Sequence, residues 1–182
     1  MLLLGERPLR LQVQYRMHPS LSAFPSDTFY EGSLQNGVSH ADRSRDALPD
    51  LFPDPRKPLL FYSCASPEEI GASGTTFLNR GEASSVAKLL TYLLRAGIPG
   101  RAIGVVTPYE GQQHYLSDLL TRYAALPAAR YADVEIASVD SFQGREKDYI
   151  LVSCVRSNSA SGLGFLADPR RLNVALTRAK YG

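Results

Sequence analysis

A chain of 182 residues, 44% hydrophobic and 21% charged, has the size and balance of one globular domain, or of one domain with an added flap. Its net charge of +2 is too small to signal nucleic-acid binding, so an anionic partner has to be read from where the arginines gather. No apolar run reaches the length of a membrane span, and Met1–Pro8 is too short for a secretory leader and carries an acid, which makes the cytoplasm the expected location.

The first informative stretch is "LQVQYRMHPSL", where Tyr15 and Arg16 stand side by side. Tyr15 reads either as core or as a ring on which a base stacks. His18, before Pro19, reads as a structural or helix-start residue. His40–Pro58 is rich in Pro, Asp and Arg without a period and reads as a surface loop with solvated charges. Pro58–Ser63, "PLLFYS", is a short apolar run that predicts a buried strand. Asn79 and Glu82 then have capping-box spacing, Val86, Leu89, Leu90, Leu93 and Leu94 form an apolar stripe, and Gly97 supplies a stop. A helix is therefore predicted between Asn79 and Gly97.

A strand follows at Ala102–Thr107, then a helix over "PYEGQQHYLSDLLTRY". Thr107, Pro108 and Glu110 spell a second capping box, which reads either as plain capping or as an anion-binding helix start. Strands are predicted at "VEIASV" and "YILVSCV", the second almost continuously apolar, as a strand covered on both faces reads. Between them lies "DSFQGREKDY", with Asp140, Gln143, Gly144, Arg145 and Glu146. It reads as a ligand-facing connection or as a turn with a surface ion pair. Ser159–Leu166 is a small-residue loop. The last predicted helix runs from Asp168 to Lys180, with Leu172, Ala175, Leu176 and Ala179 on the buried face. At 3.6 residues per turn, Arg171 and Arg178 flank that face on one side, Lys180 and Asn173 on the other, and Arg170 points outward. Cys64 and Cys154 lie far apart in apolar runs and read as buried free thiols of a reducing compartment.

The alternation of strands and helices predicts an α/β domain with a mainly parallel sheet in three layers. Ligands in such folds gather at the carboxyl ends of the strands. The sequence has no G-x-x-x-x-G-K-[ST] phosphate loop, no second acidic motif suited to Mg²⁺, no metal-ligand spacing and no glycine-rich dinucleotide fingerprint.

"QYRMHP", "TPYEGQ", "VDSFQGREKD" and "LNVALTRAK", in this order, resemble the motifs of the second RecA-like domain of superfamily 1 helicases. "LSAFPSDTFYEGSLQNGV" and "GFLADPRRLNVALTRAKYG" resemble its Upf1-like, up-frameshift branch, which acts in nonsense-mediated mRNA decay. The likeness covers residues 2–182. It implies a RecA-like P-loop NTPase fold without the phosphate loop, one domain over 1–182 with a surface loop at 40–58. It further implies half of a 5′-to-3′ RNA helicase that clamps ATP against a first RecA-like domain, which holds the Mg²⁺. By the same resemblance Tyr15 stacks on adenine, Arg16 and Arg178 are arginine fingers, and Gly144, Arg145 and Glu146 face the nucleotide, with Glu146 near the ribose. Thr107, Pro108, Tyr109, Gln112, Val139 and Asp140 are the implied contacts to single-stranded RNA, or DNA. Decay and surveillance factors are the implied partners of the longer protein. The chain would then be a fragment without ATPase activity of its own. A senataxin-like helicase and an inactive nucleic-acid-binding module are the alternatives.

Overall fold

The computed structural model describes residues 9–44, 51–54, 56–159 and 162–182, the side chain of Leu166 excepted. The expectations for Met1–Pro8, and those for residues 45–50, 55, 160 and 161 within the two loops, lie outside the described residues. Four α-helices are described: α1 (Pro19–Phe29), α2 (Arg80–Arg95), α3 (Glu110–Arg122) and α4 (Pro169–Leu176). Two short pairs precede the main sheet: β1 (Val13–Gln14) beside β2 (Gln35–Asn36), parallel, and β3 (Glu69–Ile70) beside β4 (Phe77–Leu78), antiparallel. The main sheet is parallel throughout. β5 (Ile103–Val106) lies between β6 (Glu135–Ala137) and β7 (Tyr149–Val152).

Alternation along β5 builds the three expected layers. Ile103 and Val105 pack toward α2 and α3, in a core with Ala83, Val86, Leu90, Leu93, Leu94, Leu116 and Leu120. Val106 points to the other face and meets Val139, Phe142 and Ala175 of α4. Successive side chains of a strand must point opposite ways, so one apolar strand serves two cores.

α2 forms where its signals put it. Asn79 caps Glu82 N, and the end is a Schellman motif: Gly97 N donates to the Leu94 carbonyl and Ile98 N to that of Leu93. Gly97 sits at φ +88, a conformation that glycine adopts without strain.

Four expectations need correction. Pro58–Ser63 is not a strand: Phe61 is 91% exposed and Leu59 and Tyr62 are exposed too. An apolar run becomes a strand only where a neighbouring backbone pairs with it. α3 is not capped by Thr107. It starts at Glu110, and its Gly111 amide donates instead to Thr76 Oγ1, carried in by the β3–β4 hairpin. The last helix stops at Leu176 rather than Lys180. Beyond Thr177 the chain is drawn alongside β7: Lys147 N donates to Arg178 O, Lys180 N to Lys147 O, and Ile150 N to Gly182 O. These ladder bonds take the backbone groups that another helical turn would use. The cysteines are free, but Cys64 is half-buried and Cys154, just past β7, is exposed.

Among the described residues no helix is long and apolar enough to cross a membrane.

Candidate functional site

The sequence-predicted residues fall into two groups at opposite ends of the main sheet. One lies beside the amino end of β7, where Lys147 meets Ala179. The other lies beyond the carboxyl ends of β5 and β6. Only the second obeys the carboxyl-end rule.

At the amino end, Gln14 builds the turn that presents Tyr15 and Arg16. Its Oε1 accepts from Arg16 N (2.9 Å) and Met17 N (2.7 Å), and its Nε2 donates to Met17 O (2.9 Å). Arg43 fixes the same turn from outside, donating from Nε to Arg16 O and from Nη2 to Tyr15 O, both 2.7 Å. Arg43 belongs to the segment read as a loop of solvated charges, so for this residue that expectation is corrected. His18 is structural, as expected: it is the N-cap of α1, with Nδ1 accepting from Ser20 N (3.1 Å). That bond leaves the proton on Nε2, which faces His40 Nδ1 at 3.2 Å. Burial, and His40 beside it, push the His18 pKa down and favour the neutral ring.

Tyr15 is 66% exposed, and its ring lies against Gly37. A Cβ at Gly37 would come within 2.2 Å of the ring carbon Cε1. Gly37→Ala is therefore expected to push the Tyr15 ring off its support. On the adenine-stacking role that the resemblance implies for Tyr15, the expected result is a KM for ATP raised about 3- to 30-fold with kcat nearly unchanged, the signature of lost ground-state binding. Steady-state ATPase assays in a protein that also carries a phosphate-loop domain check this.

Near Tyr15 three cations gather about one carboxylate. Arg16 Nε donates to Glu146 Oε2 (2.7 Å) and its Nη1 to the Thr177 carbonyl (2.8 Å). Lys180 Nζ lies 2.8 Å from Glu146 Oε1. The hydrogen bonds from Lys180 and then Arg16 hold the Glu146 pKa down to about 2. Arg178 has left the helix and is half-buried; its Nη2 donates to Thr177 Oγ1 (2.8 Å), while its Nε is buried without a hydrogen-bond partner. Burial, then the charge on Arg16, push the Arg178 pKa down. A buried, unmatched guanidinium donor is costly and calls for an explanation. An anion supplies one. The cluster thus fits the terminal phosphate of a nucleotide, with Tyr15 beside it for a base.

Gly144 and Arg145 do not join this cluster. Gly144 turns the chain at φ +81, and Arg145 pairs with Glu135 at the start of β6, which Lys147 Nζ also meets at 2.9 Å.

At the carboxyl end, Pro108 and Tyr109 are partly exposed, Asp140 is exposed, and Arg171 Nη2 lies 3.7 Å from Asp140 Oδ2. The Tyr109 ring meets Phe77 edge-on at 5.5 Å, and the Arg156 guanidinium sits over Phe77 at 4.5 Å. Thr107 Oγ1 is buried without a hydrogen-bond partner. Val139 is buried, which leaves its backbone and not its side chain to a ligand. Gln112 departs from the expected role of contact residue. It is 0% exposed, its Oε1 accepts from Asn79 N (2.8 Å), and its Nε2 donates to Asn79 O (3.2 Å) and Ser153 Oγ (3.0 Å). It supports the edge from below.

The same network reaches Val155, which sits at φ +69, a strained region for a β-branched residue. Both Glu82 oxygens accept from Val155 N (3.1 and 3.0 Å), and Asn79 Nδ2 donates to Val155 O (3.2 Å). The acid of the expected capping box thus turns away from Asn79 N to brace the segment after β7. Arg43, Gly37, Lys180 and Glu82 are the residues whose roles sequence reasoning missed. Only Glu82 left a signal, an acid at the third helical position.

The family model of an AAA domain matches residues 1–182. "Regulator of nonsense transcripts 1" of Caenorhabditis elegans is 58% identical over 182 residues, covering 100% of this chain and 17% of that protein. "ATP-dependent helicase upf1" of Schizosaccharomyces pombe is 53% identical over 182 residues, 100% of this chain and 20% of its own length. "ATP-dependent helicase NAM7" of Saccharomyces cerevisiae is 54% identical over 182 residues, covering 98% of this chain and 18% of its own length. The chain thus spans a fifth or less of these curated relatives. It belongs to the AAA domain family, as a second RecA-like domain of the Upf1-like superfamily 1 helicases.

Proposed function

We propose that this domain is the C-terminal half of an ATP-dependent, 5′-to-3′ RNA helicase of nonsense-mediated mRNA decay, working in the cytoplasm. Its amino-end cluster closes on ATP held by a first RecA-like domain, whose carboxylates would carry the Mg²⁺. Tyr15 stacks on adenine, Arg16 and Arg178 meet the γ-phosphate, and Glu146, held by Arg16 and Lys180, faces the nucleotide on its ribose side, while Gly144 and Arg145 shape the turn that leads to it. The carboxyl-end surface of Thr107, Pro108, Tyr109, Val139 and Asp140, supported by Gln112, follows the backbone of single-stranded RNA. Decay and surveillance factors are the partners of the longer protein.

The observation that carries this reading is the buried, unmatched Nε of Arg178 beside Arg16 and Lys180. Phosphoryl transfer requires positive charge fixed where the terminal phosphate oxygens gain negative charge, and a rigid guanidinium supplies it. The relatives named as ATP-dependent helicases support the same chemistry. A module that only bound nucleic acid would have no use for such a group.

The 182-residue chain alone is expected to give no ATP turnover. Joined to a phosphate-loop domain of an Upf1-like helicase, it should hydrolyse ATP faster when single-stranded RNA is added. Turnover by the chain alone would refute the division of labour.

A further inference from the structure

The Glu146 carboxylate is shared. Arg16 takes Oε2 at 2.7 Å and Lys180 takes Oε1 at 2.8 Å. Arg16 cannot turn its Nε to a phosphate while it holds Glu146. Once Arg16 leaves, Glu146 would present a bare negative charge beside the arriving triphosphate. Lys180 is placed to prevent that. Its backbone is pinned on both sides, with Lys180 N donating to Lys147 O and His18 N donating to Lys180 O, both 2.9 Å. The second bond ties it to the turn that presents Arg16.

We propose that Glu146 holds Arg16 in place as a stand-in for the terminal phosphate, and that Lys180 keeps Glu146 neutralised when Arg16 transfers to the nucleotide. Lys180 is thus a positioning residue for Arg16. It acts through Glu146 and does not touch the phosphate. The exchange conserves charge pairing: Arg16 trades one anion for another, and Glu146 keeps one cation throughout. Its effect is selective for nucleotides that carry a terminal phosphate in the third position, because only those draw Arg16 away.

This inference rests on the reading of the cluster as a γ-phosphate site, and a mutant cycle tests it apart from that reading. The protein is this domain joined to its phosphate-loop domain, and the probes are fluorescent mant-AMPPNP and mant-ADP. Lys180→Ala is expected to weaken mant-AMPPNP binding by about 3- to 100-fold, the range of coupling between contacting residues, with mant-ADP changed far less. Lys180→Arg should restore binding. In a Glu146→Gln background the Lys180→Ala loss should vanish, since there is no carboxylate left to neutralise. A loss that persists unchanged in that background, or falls equally on both nucleotides, overturns the proposal. Arg178→Ala separates the two failures. If it still abolishes hydrolysis, the γ-phosphate reading stands and only the role of Lys180 falls. If neither Arg178→Ala nor Lys180→Ala affects hydrolysis or mant-AMPPNP binding, the site reading falls with it.

Discussion

Replacing Arg178 with alanine, in a protein that pairs this domain with a phosphate-loop domain, is expected to lower kcat for ATP hydrolysis by about 10³- to 10⁵-fold. RNA affinity should be retained. The size of the effect follows from where the guanidinium sits. Its Nε is buried, its Nη2 is fixed on Thr177 Oγ1, and Thr177 Oγ1 is itself anchored on the Asn173 carbonyl at 2.8 Å. A charge held in this way needs no reorganisation when phosphoryl charge develops, which makes it worth more in the transition state than in the ground state. Arg178→Lys should recover little, because an ammonium lacks the forked, always-charged plane. The groups proposed to contact RNA lie at the other end of the sheet, so binding to a labelled oligonucleotide should be nearly unchanged. Equal losses of RNA binding and turnover would place Arg178 in the scaffold instead.

Asn79→Ala should be the most damaging single change to stability in the region around the carboxyl end. Asn79 is fully buried and does three things at once. Its Oδ1 caps Glu82 N (2.9 Å), and its Nδ2 donates to Ser66 O (2.8 Å) and Val155 O (3.2 Å). Losing the cap costs about 0.5–2 kcal/mol. The buried Val155 carbonyl left without a donor adds about 1–3 kcal/mol, and the part-buried Ser66 carbonyl adds less. Relaxation recovers part of this, and a net loss of about 3 kcal/mol is expected. For a chain of this size that lowers Tm by about 6–12 °C, measurable by circular dichroism. Asn79→Ser keeps an acceptor for the cap and should recover less than half. A Tm within about 2 °C of the parent would contradict the network account. Because Val155 is held in a strained conformation by Asn79 and Glu82, the segment after β7 should loosen with it.

How much was legible in the sequence differed with how local each signal was. α2 could be read almost completely, because cap, stripe and Schellman stop all lie within one short stretch of chain. β5, β6 and β7 were found with ragged ends, for their limits depend on how far each partner extends. Pro58–Ser63 misled because an apolar run looks the same whether or not a neighbour pairs with it. The sequence pattern predicts α4 one turn too long because the competing bonds come from Lys147 and Asp148, far earlier in the chain. The helical-wheel placement of Arg178 therefore does not apply, because Arg178 lies beyond the helix. Arg178 reaches the cluster through the ladder along β7.

The site was half legible. The motifs point to Tyr15, Arg16, Glu146 and Arg178, and the fold brings Arg16, Glu146 and Arg178 together with Tyr15 next in the chain. Arg43, Gly37 and Lys180 act across long sequence separations and leave no local pattern. Gln112 shows the opposite failure, a polar residue in a motif whose amide is wholly spent on the interior. The carboxyl-end rule located the surface proposed for RNA and missed the cationic cluster, which forms where the chain beyond α4 runs alongside the start of β7.

On the function proposed above, this domain contributes fixed positive charge to a phosphate held by another domain. The most direct measurement compares the affinity of ADP with that of ADP plus aluminium fluoride, a mimic of the transferring phosphoryl group, in the two-domain protein and its Arg178→Ala variant. The complex with fluoride should bind at least about 100-fold more tightly than ADP in the parent, and that advantage should be lost in the variant while ADP affinity changes little. An advantage that survives the loss of Arg178 would contradict the account.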